Sequence, residues 1–358
     1  MPSETLRAAV IGTGKMSRGH ARGYQGAAGV ELVACADVSE AARSQFASEF
    51  GVDRTYADAR EMLEQEKPDI VSVCTWPPLH AELTVLACEA GVRAVLCEKP
   101  MAVHLADADQ MLAAAKANGT LLCINHQRRF RPRYVHAKRY LDAGAIGRIS
   151  QVTSICRGDL LTDGTHLIDM TRFLLGDPPI EWVFGGIDLT RRQNVDVVNG
   201  MGFAEWLTAG TRYGHHVEGG ALAILHFQNG VRANLEIGSI ARPGYQKFVV
   251  NGTDGRIEIS GDQPEPGEPE LRVCPFGSQP ITPELEPDRS MQVNVEEIVN
   301  SLRTGRPHRL DGTSGRATLE AIMAIFASAI ERRPVPLPYT RPDSPFEAAL
   351  TSDAISLG

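Results

Sequence analysis

Residues 6–17 read LRAAVIGTGKMS, and this stretch decides how the N-terminal part of the chain folds. Leu6–Ile11 is a mostly apolar run of strand length. Gly12-Thr13-Gly14-Lys15-Met16-Ser17 follows at once, and Met16–Gly26 reads as a helix. A strand, a glycine-rich turn and a helix in immediate succession aim backbone N–H groups and the positive helix end at one point, where a pyrophosphate can sit. Ser17 takes the place of the third glycine of a GxGxxG pattern and is small enough for close helix–strand packing. Taken alone, GxGxxS reads equally well as a tight turn.

Asp37 strengthens the reading, because it ends the second strand-like run, ELVACAD. A carboxylate there can accept both ribose hydroxyls and would repel a 2′-phosphate. NAD is therefore expected over NADP, which stays the second option. The nearest cation, Arg43, lies a turn or more into the next helix. Asp37 also reads as a helix N-cap, a role that Ser39 could take instead.

Working outward, further strand-like runs occur at Glu31–Ala36, Ile70–Cys74, Ala94–Cys97 and Thr120–Ile124. Helical stretches separate them at Glu40–Phe50, Ala59–Glu66, Leu79–Ala90 and Leu105–Asn118. Continuous apolar strands alternating with helices predict a parallel sheet covered on both faces, a doubly wound α/β domain over residues 1–125. The pattern then changes. A basic segment, NHQRRFRPRYVHAKRYLDAGAIG, reads as a loop entering a helix. Strand-like runs follow at Ile149–Cys156, Ala221–Phe227, Val231–Gly238, Lys247–Asn251 and Arg256–Ser260. FQNGVRANLEI and VVNGTDGRIEI carry hairpin turns, so residues 126–338 read as an α+β domain with an antiparallel sheet. Gly261–Pro287 is Pro-rich and acidic, a loop or short edge strand. Helices are expected near Gln292–Arg303 and Thr313–Glu331, and residues 339–358 read as an extended tail.

At 358 residues two domains are expected. Apolar content of 43% with 22% charged is that of a globular protein, and the net charge of −8 argues against a nucleic-acid-coating surface. No apolar run approaches the roughly 20 residues of a membrane span. MPSETLRAAVIG has no signal-peptide pattern. The seven cysteines include no CxxC and read as reduced thiols of a cytoplasmic protein.

Ligands of doubly wound sheets sit beyond the carboxyl ends of the strands. Two of those ends read Thr75-Trp76-Pro77-Pro78-Leu79-His80 and Glu98-Lys99-Pro100. A proline after a strand end fixes the turn, sometimes as a cis bond, and would project Lys99 at the crevice. Lys99 also reads as a surface lysine in a turn. Beside a nicotinamide and a sugar hydroxyl it would stabilise alkoxide charge and relay a proton.

Gly12–Ser17, the HAEL helix after TWPP, AGVRAVLCEKPMA and RRFRPRYVHAKRYLDAGAIGRI together resemble one family. It is the glucose-fructose oxidoreductase/inositol dehydrogenase/rhizopine-catabolism family of NAD(P)-dependent oxidoreductases. The resemblance continues through VVNGTDGRIEI and AIFASAIERRPVPLP, from about Leu6 to Pro338. It implies a Rossmann domain followed by an open-faced antiparallel sheet domain, and chemistry at a carbinol carbon of a sugar, cyclitol or derivative. Lys99 falls on the family's active-site lysine. Thr75, Trp76, Pro77 and His80 fall in the segment lining the nicotinamide, and Glu98 precedes the lysine. His126 and Arg129 follow the fifth strand-like run, where family members place substrate contacts. The exposed sheet face implies a homodimer or homotetramer.

The family's catalytic segment often reads Asp-x-Gly-x-His. In LLTDGTHLIDM, Leu160–Met170, Gly164 and His166 match that pattern, but the carboxylate position is Thr162 and Asp163 stands one place later. His166 can accept a hydroxyl proton near neutral pH; it also reads as a core histidine. Asp163 either orients His166 or caps the helix. His216 and Glu218 could share a strand face, but two ligands make no zinc site, and no metal is expected. Arg128, Arg129, Arg131 and Arg133 read as a solvated or ion-paired strip.

These readings converge on an NAD-dependent dehydrogenase of a sugar, cyclitol or glycoside. One alternative is a redox-neutral enzyme that cleaves glycosides through a transient keto-sugar. Another is a non-catalytic NAD sensor, for which the displaced carboxylate at Thr162 is the one argument. Specificity is expected to come from loops of the second domain, including residues 188–214.

Overall fold

In a computed structural model, the chain is described over residues 5–190, 209–238, 246–261 and 267–357. It divides into two compact units, Met1–Phe130 with Arg289–Arg316, and Arg131–Asp288 with Ala317–Gly358.

The first unit alternates strand and helix as its periodicity predicts. β1 (Leu6–Ile11), β2 (Val30–Ala36), β3 (Arg54–Tyr56), β4 (Ile70–Val73), β5 (Ala94–Cys97) and β6 (Leu121–Ile124) form one parallel sheet. Its order is β3-β2-β1-β4-β5-β6, so the winding reverses between β1 and β4. The helices are α1 (Ser17–Gly26), α2 (Glu40–Phe50), α3 (Ala59–Glu66), α4 (His80–Glu89) and α5 (Leu105–Asn118). Burial on both sheet faces explains the unbroken apolar strands: β4 and β5 have no exposed residue. The short strand β3, RTY, escapes periodicity because it is an edge with little buried surface.

The boundary expected at residue 125 misses a returning segment. Met291, Val295, Ile298 and Val299, which lie in the helix Ser290–Thr304, join the cluster formed by Ala21, Tyr24, Val10 and Leu96. That helix therefore belongs to the first unit, although it follows the second sheet in sequence. Gly23 permits the approach, since a Cβ there would stand 3.0 Å from the Met291 carbonyl oxygen.

The second unit opens with α6 (Pro132–Asp142), β7 (Ile149–Cys156), α7 (Thr165–Leu175) and β8 (Ile180–Asp188). A small hairpin follows, β9 (Gly210–Arg212) with β10 (His215–Val217). Then come β11 (Gly220–Phe227), β12 (Arg232–Ile237), β13 (Gln246–Gly252), β14 (Gly255–Ser260) and β15 (Leu271–Pro275). The returning helix Ser290–Thr304 is α8, followed by α9 (Gly312–Glu331), β16 (Val335–Pro336) and α10 (Pro345–Thr351). The sheet order is β15-β14-β13-β7-β12-β11-β8-β16.

Both hairpins form, β11 with β12 and β13 with β14. The sheet is mixed rather than antiparallel throughout, because β7 and β12 run parallel at its centre. Those strands are joined by a long excursion rather than a turn, which no local signal reveals. One face is covered; Ile325 and Ser328 of α9, for instance, lie on Gly185. The other presents Phe184, Leu222 and Ile224 exposed. The C-terminal stretch read as extended contains α10, capped by Ser344, whose Oγ accepts from Glu347 N. Residues 191–208, within the loop expected to set specificity, lie outside the described residues. Among the described residues no helix is long and apolar enough to cross a membrane.

Candidate functional site

The glycine turn after β1 is built as the sequence requires. Gly12 has φ +85°, and a Cβ there would stand 2.9 Å from the Cys74 carbonyl, so only glycine lets β1 and the end of β4 approach. Gly14, Lys15 and Met16 are exposed at the start of α1, and a Cβ on Gly14 would meet nothing. That open side can admit a phosphate.

Asp37 is not a helix cap. Ser39 caps α2, its Oγ accepting from Ala42 N at 3.3 Å. The Asp37 carboxylate instead accepts from Thr13 N at 2.7 Å, from Thr13 Oγ1 at 3.1 Å and from Ser39 N at 2.8 Å. It thus ties the glycine turn to the end of β2. Arg43 reaches back and donates to the Asp37 carbonyl at 2.6 Å, closer than its place in sequence suggests. Beside them lies a groove of about 290 Å³, lined by Gly12, Asp37, Asp58, Thr75, Leu79 and Leu86 among others. An apolar slot with a carboxylate at the lip suits an adenosine, so the residues present fit a dinucleotide.

At the ends of β4 and β5 the structure places the other residues expected beside the cofactor. Trp76 is 61% exposed, whereas Pro77 is buried. His80 is wholly buried, with Nδ1 2.9 Å from the Pro100 carbonyl oxygen and Nε2 3.1 Å from that of Thr75. Burial holds its pKa below the ordinary value, so the neutral ring donates to one carbonyl at a time. His80 is thus a brace between two strand ends. The Lys99–Pro100 peptide is cis.

Beneath Lys99 lies a buried polar chain that the sequence reading does not contain. His20 on α1 stands between Ser72 and Glu98, Nδ1 2.8 Å from Ser72 Oγ and Nε2 2.8 Å from Glu98 Oε1. Tyr24 OH lies 2.7 Å from the same Ser72 oxygen. Asn125 Nδ2 donates to Glu98 Oε1 at 2.7 Å, and Asn294 of α8 donates to Asn125 Oδ1 at 3.0 Å. Glu98 Oε2 accepts from the backbone N–H of Lys99 at 3.2 Å. Burial alone would raise the Glu98 pKa. The His20 hydrogen bond and charge, Lys99 and Asn125 outweigh it and pull the carboxyl down to about 2.

His126, Arg128 and Arg129 are buried, not solvated. Arg129 donates to Ser314 at 3.1 Å within the first unit. In the second unit Arg131 pairs with Asp288 and Arg133 with Glu270, while Arg133 also donates to the Ser260 and Gly261 carbonyls. The strip is structural at 131 and 133.

His166 occupies the first turn of α7, 4% exposed. The capping role open to Asp163 falls to Asp159, whose Oδ1 accepts from Thr162 N at 2.8 Å at the head of a wide turn over Leu160–Gly164. Asp163 is ion-paired with Arg157 at 3.3 Å. His216 and Glu218 do not converge: His216 bonds Glu347 at 2.7 Å, and Glu218 accepts from Leu160 N at 2.6 Å. The seven cysteines are free thiols. Burial pushes those of Cys74, Cys97 and Cys123 up, away from reactivity.

Comparison with known proteins adds a second line. The family model for the NAD-binding Rossmann fold of the GFO_IDH_MocA oxidoreductases matches residues 6–126, and that for their C-terminal alpha/beta domain matches 157–337. The chain is 28% identical to D-apiose dehydrogenase of Paraburkholderia graminis, over 98% of this chain and 94% of that one. It is 25% identical to myo-inositol 2-dehydrogenase of Thermotoga maritima, over 93% and 98%. An Agrobacterium radiobacter oxidoreductase solved with NAD+, L-tartaric acid and magnesium superposes with a TM-score of 0.77 at 21% identity, covering 93% of this chain and 98% of that one.

Proposed function

The chain belongs to the GFO_IDH_MocA family of NAD-binding oxidoreductases, and on that premise we propose that it oxidises a secondary alcohol of a sugar, cyclitol or glycoside. The observation that carries this reading is the placement of Lys99. It follows β5 at the carboxyl end of the sheet, its backbone fixed by a buried, ionised Glu98. The dinucleotide groove opens at the same edge. Relatives named for dehydrogenation of apiose and of inositol support the substrate class.

Bound NAD would supply the hydride acceptor, with its adenosine in the groove edged by Asp37 and its phosphates at Gly12, Thr13, Gly14, Lys15 and Met16. Asp37 favours NAD over NADP, because a second negative group at the ribose would meet its charge. Lys99 would hold the substrate oxygen as negative charge develops. His166 would accept the hydroxyl proton. Asp163 is assigned a lesser part, setting the charge around His166 through its pair with Arg157. His126 and Arg129 would meet substrate hydroxyls near β6. The exposed apolar face of the second sheet suits pairing with a second copy, and seven free thiols suit a reducing, cytoplasmic setting.

The test is a screen of aldoses, inositols and glycosides for NADH formation, with NAD and NADP in parallel. NADH formed with a sugar or cyclitol, with NADP slower, supports the reading. Turnover of none of these alcohols in either direction would remove it.

A further inference from the structure

The turn that leads into His166 is fastened by carboxylates from two elements. Asp159, wholly buried, caps it: Oδ1 accepts from Thr162 N, and its carbonyl accepts from Asp163 N at 3.2 Å and Gly164 N at 2.9 Å. The Leu160 N–H, orphaned at the head of this turn and buried, finds its acceptor in Glu218, just beyond β10. Glu218 is 1% exposed, and its second oxygen, Oε2, is buried without a hydrogen-bond partner among the described residues. Arg212 of β9 pairs with Asp159 Oδ2. The hairpin β9–β10 therefore grips the turn with a cation on one carboxylate and a carboxyl on the backbone.

We propose that Glu218 is a positioning residue for His166, its carboxyl anchoring the Leu160 N–H at the head of the turn that Asp159 caps. The inference rests on the reading of His166 given above. Arg212 is ion-paired with Asp159, the carboxylate beside Glu218. Burial first, and the Asp159 charge second, push the Glu218 carboxyl up to about 8. Its carbonyl-type oxygen still accepts from Leu160 N when the group is neutral. Ionisation above that pH adds a negative charge beside Asp159 and Arg212, in a cluster that also holds Asp163, Arg157 and Tyr213. The turn, and His166 with it, then loosens.

The experiment compares E218A and E218Q in the full chain, by pH profiles of kcat and KM on a substrate from the screen. NAD titration and the His166 imidazole resonance, assigned by its loss in H166N, provide readouts that need no turnover. We expect E218A to shift or broaden that resonance and to lower kcat about ten- to a hundredfold, with KM and NAD affinity little changed. E218Q, which keeps an acceptor and stays neutral, should recover most of that loss and abolish the activity decline above about pH 8. A His166 resonance and pH profile unchanged in E218A would overturn the proposal. So would E218Q as impaired as E218A while still folded by circular dichroism. If H166N turns over normally, the role of His166 falls, while the resonance response still reports on Glu218.

Discussion

His20 Nε2 and Glu98 Oε1 lie 2.8 Å apart, both side chains buried, one residue away from Lys99. A carboxylate inside a protein survives ionised only where donors surround it. His20, Asn125 and the Lys99 N–H are those donors here.

Glu98 therefore makes stability depend on acid. Its folded pKa, about 2, lies below the ordinary 4.5, so the contribution is complete above pH 4.5 and is lost as pH falls from there through 2. The shift corresponds to roughly 3 kcal/mol. Urea unfolding of wild type and E98Q at several pH values should show the stability gap shrinking across that window. A gap that stays constant from neutral pH to pH 3 would contradict the assignment.

Gly12→Ala places a methyl 2.9 Å from the Cys74 carbonyl at a φ of +85°. The strain should cost about 1–3 kcal/mol, and NAD affinity should fall with it because the turn must shift. Thermal melting and NAD titration measure the two effects. The same change at Gly14, which faces open space, should melt like wild type.

Asp37→Ser removes charge-assisted hydrogen bonds that fix the glycine turn, together with the charge that would oppose a 2′-phosphate. NAD efficiency should drop by roughly ten- to a hundredfold. Use of NADP should rise relative to NAD, helped by Arg43 on the Asp37 carbonyl. Steady-state kcat/KM with each cofactor decides it; an unchanged ratio would remove Asp37 from cofactor choice.

Lys99→Met and His166→Asn should each lower kcat by about 10²- to 10⁴-fold while NAD still binds. Single-turnover measurements with saturating NAD separate this from a binding defect. Wild-type rates in Lys99→Met would end the assignment of Lys99.

The alternation of β1, β2, β4, β5 and β6 with α1 to α5 was legible because it is written in local periodicity: each apolar run matches the strand it becomes to within a residue, whereas the short edge strand β3 has no such run. The Asn-Gly hairpin, the glycine turn and the carboxylate closing β2 were legible for the same reason. Each is a short-range pattern with its own backbone chemistry. What the sequence could pose but not resolve were choices between neighbours. Ser39, not Asp37, caps α2; and Asp163, open between capping and orienting His166, does not cap the turn, a part taken by Asp159, which the sequence did not single out. Both pairs lie within a few residues of each other, so composition cannot rank them; the direction of each side chain does.

The chain by itself determined a nucleotide-binding α/β unit and a following sheet unit, and it singled out Lys99 and His166 as candidates. Only the tertiary structure decided that α8 returns to the first unit and delivers Asn294 to Asn125, 169 residues away. It also decided that His20, Ser72, Tyr24 and Glu98 form one buried chain, and that Glu218 holds Leu160 from 58 residues away. Buried polar groups must find partners wherever the fold brings them, and such partnerships leave no period in the sequence to read.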